Sequence, residues 1–283
     1  MKKNNLFSCN GFTLIELLIA MAITGIVSAA IFTAFQSQQK SYIIQDDVTV
    51  MQQNLRAGMD MMVREIRMAG YNPQNIGGLG ILNVCPRDIN NNIDITMTGN
   101  GAIQISTDFD DNGVLGGNET ISFSICDSPI LTPDGNPDLA RNSGGGRQML
   151  AENIEALGFA YAYDTDSDGN LDTSPNGNVI WAVDSDGDND LDINLDTDDD
   201  GDIDAADGPG AGNNGIVNGT AIADVAVNDI RAVRIWMLAR ADRRDNKYFN
   251  TRTYVVGHKV ITPNDNFRRR LLTTTVKCRN LGL

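Results

Sequence analysis

A chain of 283 residues with one histidine, four cysteines and only 6% aromatic residues has little material for the commonest catalytic and metal chemistries. His258 stands alone in a V-G-H-K-V stretch, a setting more typical of a packed or surface residue than of a general base. Cys9, Cys85, Cys126 and Cys278 show no C-x-x-C spacing, which argues against a zinc site. No nucleophile elbow or Walker loop occurs, so the sequence argues against an enzyme. Basic residues are scarce as well. The formal net charge is -15, and no basic stripe opposes the acid, which excludes nucleic acid as an expected partner.

Long apolar runs are also lacking, with one exception: Gly11 to Phe35, GFTLIELLIAMAITGIVSAAIFTAF, directly after a short leader carrying Lys2 and Lys3. Glu16 is the only charge between Lys3 and Lys40. Roughly 20 apolar residues span a bilayer core at ~1.5 Å per residue. No A-x-A-like site follows the run near Ser37, so the segment is expected to be kept rather than removed as a secretory signal. The basic flank favours a cytoplasmic N-terminus with the rest of the chain across the membrane. A carboxylate inside such a segment costs on the order of 2.5 to 3.5 kcal/mol at the bilayer centre and suggests a functional partner. Snorkelling of Glu16 to the near interface is the plain alternative.

The lysine leader, then Gly11, Phe12, Thr13, Leu14, Ile15 and Glu16, then an apolar helix, resembles the class III signal of type IV prepilins. The resemblance implies cleavage between Gly11 and Phe12 by a prepilin peptidase, N-methylation of Phe12, and loss of Cys9 with the leader. It also implies that Glu16, fifth in the mature chain, meets the N-terminal amine of a neighbouring subunit during assembly.

Beyond the run, Ile44, Val48, Met51, Leu55, Met59, Met62 and Ile66 recur at steps of three or four and predict one apolar stripe on a continued helix. Gly70 is a natural C-cap, ahead of Pro73. One helix from about Phe12 to Ala69 is expected, on the order of 85 Å long. After it come short apolar runs punctuated by Gly, Asn and Asp, the pattern of strands and turns. Ala102 to Ser106 and Thr120 to Cys126 read as paired strands. Leu157 to Tyr163, Ile230 to Ala239 and Tyr254 to Ile261 follow as further strand-like stretches. In the second of these Val233, Ile235 and Met237 alternate with Ala232, Arg234, Trp236 and Leu238. The fold class is therefore α+β, a long helix packed on an antiparallel β-sheet head. In an oxidising compartment Cys85 and Cys126, which flank the first head strands, are the favoured disulfide pair, and Cys278 could replace either.

Between the first two strands, Asp108, Asp110, Asn112, Gly113, Leu115 and Glu119 fall at positions one, three, five, six, eight and twelve of an EF-hand-like loop. A hard cation needs six to eight oxygens at ~2.3 to 2.6 Å, and the glycine permits the sharp turn that converges them. An Asp/Asn/Gly-rich hairpin turn is the alternative. From Tyr161 to Gly208 there are 16 Asp and no Lys or Arg. Asp164, Asp166, Asp168, Gly169 and Asp172 form one repeat. Asp184, Asp186, Gly187, Asp188, Asp190 and Asp192 form a degenerate one. Asp196, Asp198, Asp200, Gly201, Asp204 and Asp207 form the most complete. Over about 45 residues the segment resembles the calcium repeats of thrombospondin type 3 and dockerin modules. Pro175 stands where the twelfth ligand of the first repeat should be. Carboxylates at this density repel one another unless cations neutralise them, so calcium is the expected cofactor, against a solvated disordered acidic loop.

Arg64 to Tyr71 near the helix end, and the ending from Asn266 through Arg268-Arg269-Arg270 to Leu281, resemble PilW-type minor pilins and the related J-type pseudopilins of type II secretion. The expected organisation is a leader over 1–11, a helix over 12–70 with 12–35 in the membrane, and a periplasmic, later extracellular, head over 71–283 in which the acidic segment 161–208 is an insertion. The resemblance implies a structural subunit that helps to initiate or assemble pili at the inner membrane and is incorporated near the filament tip. Its partners would be prepilin peptidase, other minor and major pilins, the inner-membrane assembly platform and membrane lipid. A minor pseudopilin of type II secretion, or a calcium-dependent surface adhesion module on a pilin stem, are the alternatives.

Overall fold

The computed structural model describes residues 12–87, 100–126, 136–208, 215–217 and 219–282. Gly11 and Cys9 lie outside the described residues. The N-terminal apolar run and its amphipathic continuation form one helix, α1 (Leu14–Met68). It starts two residues later than expected because Thr13 is its cap. The Thr13 amide and hydroxyl both donate to Glu16 Oε2, at 2.9 and 2.8 Å, and the Glu16 amide donates back to Thr13 Oγ1 at 3.3 Å. This reciprocal capping box satisfies helix-end amides that have no intrahelical partner. The far end closes at Gly70, whose φ of 74° ends the helical path.

Two compact units divide the chain, residues up to Asp46 and residues from Asp47 onward. In the first, Leu14, Ile15, Leu17, Leu18 and Ile19 are exposed on a helix long and apolar enough to cross a membrane. In the second, the latter part of α1 is integral to the head, because its stripe is part of the head's core. Met51, Leu55, Met59, Met62 and Ile66 are buried there.

The head is built from β1 (Gly80–Asn83), β2 (Ile103–Ser106), β3 (Thr120–Cys126), β4 (Asp138–Asn142), β5 (Arg147–Ala151), β6 (Ile154–Tyr163), β7 (Ala182–Val183), β8 (Asp190–Asn194), β9 (Gly215–Ile216), β10 (Thr220–Ala226), β11 (Ile230–Arg240), β12 (Tyr254–Val256), β13 (Lys259–Ile261) and β14 (Arg269–Lys277). Strands β1 to β5 make a sheet in chain order. A six-stranded sheet runs β10-β8-β7-β6-β11-β14, and a small one runs β12-β13-β9. Ile103 pairs with Phe123 and Ile105 with Ile121, the antiparallel partnership expected for these two stretches. The stretch Tyr254 to Ile261 is a hairpin rather than one strand, reversing at Gly257 and His258. His258 is buried there.

The alternation in β11 sorts two cores. Val233, Ile235 and Met237, with Phe159 and Tyr161 of β6, face the helix stripe and the first sheet. Ala232, Trp236 and Leu238, with Ala156, Ala160 and Ala162, face the β12–β13 hairpin. Small residues on that side of β6 let the hairpin approach closely. The acidic segment is not a free loop, since β7 and β8 within it are central strands of the six-stranded sheet.

The expected Cys85–Cys126 disulfide is not formed; Cys85, Cys126 and Cys278 are buried free thiols. The strand order explains why. Cys85 follows β1 and Cys126 ends β3, with β2 between them, and two strand spacings are ~9.5 Å. A disulfide requires Cα atoms within ~7 Å. Burial pushes the Cys85 thiol up to about 11 and the Cys278 thiol to about 12, so both stay protonated near neutral pH.

The arginine run divides as a strand should. Arg268 reaches Asp245 at 2.7 Å, and Arg270 sits exposed on the strand edge. The Arg269 side chain is only 2% exposed and meets Glu155 at 2.5 Å and Asp265 at 2.6 Å. Arg269→Met should destabilise the full chain by about 2 to 3 kcal/mol, less than a fully buried pair because both carboxylates keep some water. A denaturant midpoint equal to that of the unmodified protein would refute this. Asp265, held below the usual carboxylate range chiefly by its hydrogen bond from Arg269, contributes stability that is lost as pH falls through that lowered value.

Candidate functional site

Four acidic loops share one local conformation. In each, the first acid is buried (Asp108, Asp164, Asp184 and Asp196) and accepts two backbone amides from within its own loop. Asp108 takes Asn112 and Gly113, both at 3.2 Å, and Asp164 takes Asp168 at 3.2 Å and Gly169 at 3.1 Å. Asp196 takes Asp200 at 3.2 Å and Gly201 at 2.9 Å, and Asp184 takes Gly187 at 2.6 Å and Asn189 at 2.9 Å. The fourth and sixth positions are left-handed throughout: Asp111 and Gly113, Ser167 and Gly169, Gly187 and Asn189, Asp199 and Gly201. The degenerate repeat is thus equivalent to the others, with its glycine at position four and an asparagine, which tolerates this conformation, at six.

The loops differ in where they close. The amide of the second residue donates to the closing acid in every case. Phe109 reaches Glu119 at 3.1 Å and Thr197 reaches Asp207 at 2.6 Å, at position twelve. Thr165 reaches Asp172 at 3.3 Å and Ser185 reaches Asp192 at 2.7 Å, at position nine. The hydroxyls of Thr165, Ser185 and Thr197 also bond to the same acids. These second-position hydroxyls are absent from the ligand set expected from sequence. The recurrent D-[S/T]-D start is the signal that would have pointed to the hydroxyls.

Carboxylate oxygens lie within 4.8 Å of one another in four groups: Asp108, Asp110 and Glu119; Asp164, Asp166 and Asp172; Asp184, Asp186 and Asp188; Asp196, Asp198 and Asp207. Asp168 and Asp200 stand outside these groups; they, and the side-chain amide oxygen of Asn112, each accept the amide two residues on at 2.7 to 2.8 Å. Asp204 is outside as well, accepting from the Ala206 amide at 2.7 Å. Burial pushes the Asp184 carboxyl above its usual value. Desolvation, then the neighbouring Asp200 and Asp207 carboxylates, does the same to Asp198. An all-oxygen donor set of three converging carboxylates fits a hard divalent cation of calcium type and gives a soft metal no sulfur or imidazole.

The loops are tied into the scaffold. Asn189 accepts the Val84 amide at 3.0 Å and donates to the Leu82 carbonyl at 3.1 Å, joining the loop that starts at Asp184 to β1. Asn178 donates to the Asp199 carbonyl at 2.6 Å, linking the exit of the loop that starts at Asp164 to the loop that starts at Asp196. The Asp108 amide donates to the Tyr71 carbonyl at 3.0 Å, just beyond α1.

On the stem, both Thr13 bonds to Glu16 use Oε2, and the residue is exposed among apolar neighbours. Phe12 is exposed at the start of the described chain.

A family model described as type IV pilus-assembly protein W matches residues 131–280, and one for the prokaryotic N-terminal methylation motif matches residues 6–32. No curated protein matches the chain. Among solved structures it is similar to a type IV-like pilin from Thermus thermophilus, at 14% identity and a TM-score of 0.37, over 82% of this chain and 98% of that one. The first family model takes in just over half of the 283 residues, including every strand from β4 to β14, and the second takes in the apolar start of α1. The chain therefore belongs to the type IV pilus-assembly protein W family and is a minor type IV pilin, a structural subunit.

Proposed function

We propose that this subunit helps to initiate or assemble pili at the inner membrane and is incorporated near the filament tip. The observation that carries the proposal is the single carboxylate of Glu16, one turn into an exposed apolar helix, with Oε2 engaged by Thr13 and Oε1 open to a donor. In a low-dielectric environment a buried carboxylate demands a charged or hydrogen-bonding partner. The N-terminal amine of a neighbouring subunit supplies one. Prepilin peptidase would cleave between Gly11 and Phe12 and free the equivalent amine for N-methylation. The N-terminus lies on the cytoplasmic side before extraction, the head lies in the periplasm, and the partners are other minor and major pilins, the assembly platform and lipid. The chain acts as a subunit rather than an enzyme, a reading supported by its family. Calcium is held in the four loops, chiefly by the three converging carboxylates of each, and supplies the positive charge that lets them coexist.

In a strain deleted for this chain, major pilin in the sheared surface fraction should fall to background. Wild-type chain should restore it and Glu16→Ala should not, although both accumulate in the membrane. Normal surface pili in the deletion strain would overturn the assembly role, and a changed secreted proteome in that strain would favour the secretion pseudopilin reading.

A further inference from the structure

Each sheet of the head has two outer strands, and all but one of these are short or irregular. β9 has two residues and β12 has three. The pairings of β1, β5 and β10 each shift register along their length. Such breaks discourage another chain from adding to an edge. The exception is β14, an outer strand of the six-stranded sheet, whose register with β11 runs unbroken from Arg269 to Lys277. From Leu271 to Val276 it holds no charge, glycine or proline, and its threonines and valine favour extended chain.

The ladder fixes which backbone groups face out. The Cys278 amide donates to the Arg231 carbonyl and the Ala241 amide to the Arg268 carbonyl, so the even-numbered residues of β14 spend their backbone groups on β11. Leu271, Thr273, Thr275 and Lys277 turn theirs outward, where no strand pairs with them among the described residues. Beside the last two, a cleft of about 370 Å³ is lined by Arg67 of α1, Thr275, Lys277 and Arg279, all four exposed. None of these three cations is paired with a carboxylate among the described residues. In a chain of net charge -15, a cleft with cations and no acid is a docking surface for negative charge. A second copy of β14, carrying Arg270 and Lys277, would add cations to cations, and like charges across a strand pair are unfavourable. The segment that fits is extended, rich in strand formers and acidic.

We propose that an extended acidic segment of a different subunit adds to β14 as a further strand. Its backbone bonds to Thr273, Thr275 and Lys277, and its carboxylates meet Arg67, Lys277 and Arg279. Main-chain hydrogen bonds supply the affinity and the cations select the partner. The proposal rests on the pilus-subunit reading only for the source of the segment; the titration below reads the edge whether or not pili depend on this chain. The full chain in nonionic detergent micelles, at fixed calcium and ionic strength, would be titrated into a fluorescein-labelled peptide, Glu-Asp-Glu-Thr-Val-Thr-Val-Thr, and followed by anisotropy. Saturable binding is expected. A peptide with lysine for each acid should bind at least about tenfold more weakly, as should the acidic peptide N-methylated at alternate amides, which keeps its charge and loses strand pairing. Thr275→Pro removes only an outward amide of an edge strand, and should weaken binding by about tenfold or more while the protein still melts as a folded chain. Lys277→Glu combined with Arg279→Glu, both at exposed positions, should do the same through charge. No saturable binding, equal binding of either control peptide, or unchanged affinity in the folded Thr275→Pro or doubly charge-reversed protein would each overturn the proposal. So would a Thr275→Cys chain that a bis-maleimide links to itself through that residue, which would place a second copy on the edge.

Discussion

Chelation of calcium should lower the melting temperature of the full chain in detergent micelles by about 5 to 10 °C for each loop that had been saturated. A ligand at a hundred times its Kd stabilises by ~2.7 kcal/mol, and 1 kcal/mol is worth roughly 2 to 4 °C in a domain of this size. The physical cause is repulsion. Three carboxylates within 4.8 Å of one another recur four times, each group with a buried first acid. Backbone amides offset part of that charge but carry no net charge of their own. Without a cation the acids must take up protons or move apart. Protease cleavage after chelation should therefore appear first within residues 164–172, 184–192 and 196–207, and calcium titration should show up to four ions. Asp196→Asn should remove one ion and its share of the shift, while Asp168→Asn, whose carboxylate points to Asn170 instead of the cluster, should change affinity less. Identical melting and cleavage with calcium and with chelator would show that the loops are hydrogen-bonded turns without metal.

The second large effect is expected from one methyl group. A Cβ added to Gly158, in the middle of β6, would stand 2.5 Å from the Gly257 nitrogen and from the Val256 carbonyl carbon and oxygen. All three are backbone atoms of the hairpin, which cannot yield as a flexible side chain would. Gly158→Ala should cost about 3 kcal/mol or more, at or beyond the upper end of what overpacking a core usually costs, because the clash is with backbone, and the protein should melt well below the unmodified temperature. Gly145→Ala, at a position with nothing within 4 Å of the added carbon, is the control and should leave the protein within about 0.5 kcal/mol of its original stability. A Gly158→Ala protein that melts near the unmodified temperature would mean that the hairpin does not pack on β6.

These two effects differ in how far the sequence discloses them. The acidic loops are legible because their chemistry is local: alternating oxygens and a glycine fix a turn within six residues. The helix and the paired strands β2 and β3 are legible for the same reason, since a stripe at steps of three or four and an alternation of two are properties of contiguous chain. The equivalence of the loop that starts at Asp184 is harder to see, because Gly187 and Asn189 exchange the two left-handed positions. Gly158 gives no warning at all, for its neighbour is a turn a hundred residues away. The cysteine pairing fails on the same ground, because strand order decides which thiols meet. Arg269 resembles its two neighbours in a basic run until Glu155 and Asp265 arrive from elsewhere in the fold.

The end of α1 is held by backbone on both sides of its glycine. The Gly70 amide donates to the Ser106 carbonyl at 2.9 Å, and the Asp108 amide to the Tyr71 carbonyl at 3.0 Å. Glu65, one turn earlier, is gripped by Arg141 of β4 at 2.9 Å. Tension along the latter part of α1 would then load these bonds and the buried Met51 to Ile66 stripe together, in shear, instead of peeling them one at a time. The first acidic loop begins at the same Asp108 that closes this clasp. A cation settling there would stiffen the coupling through which mechanical force passes between helix and sheet.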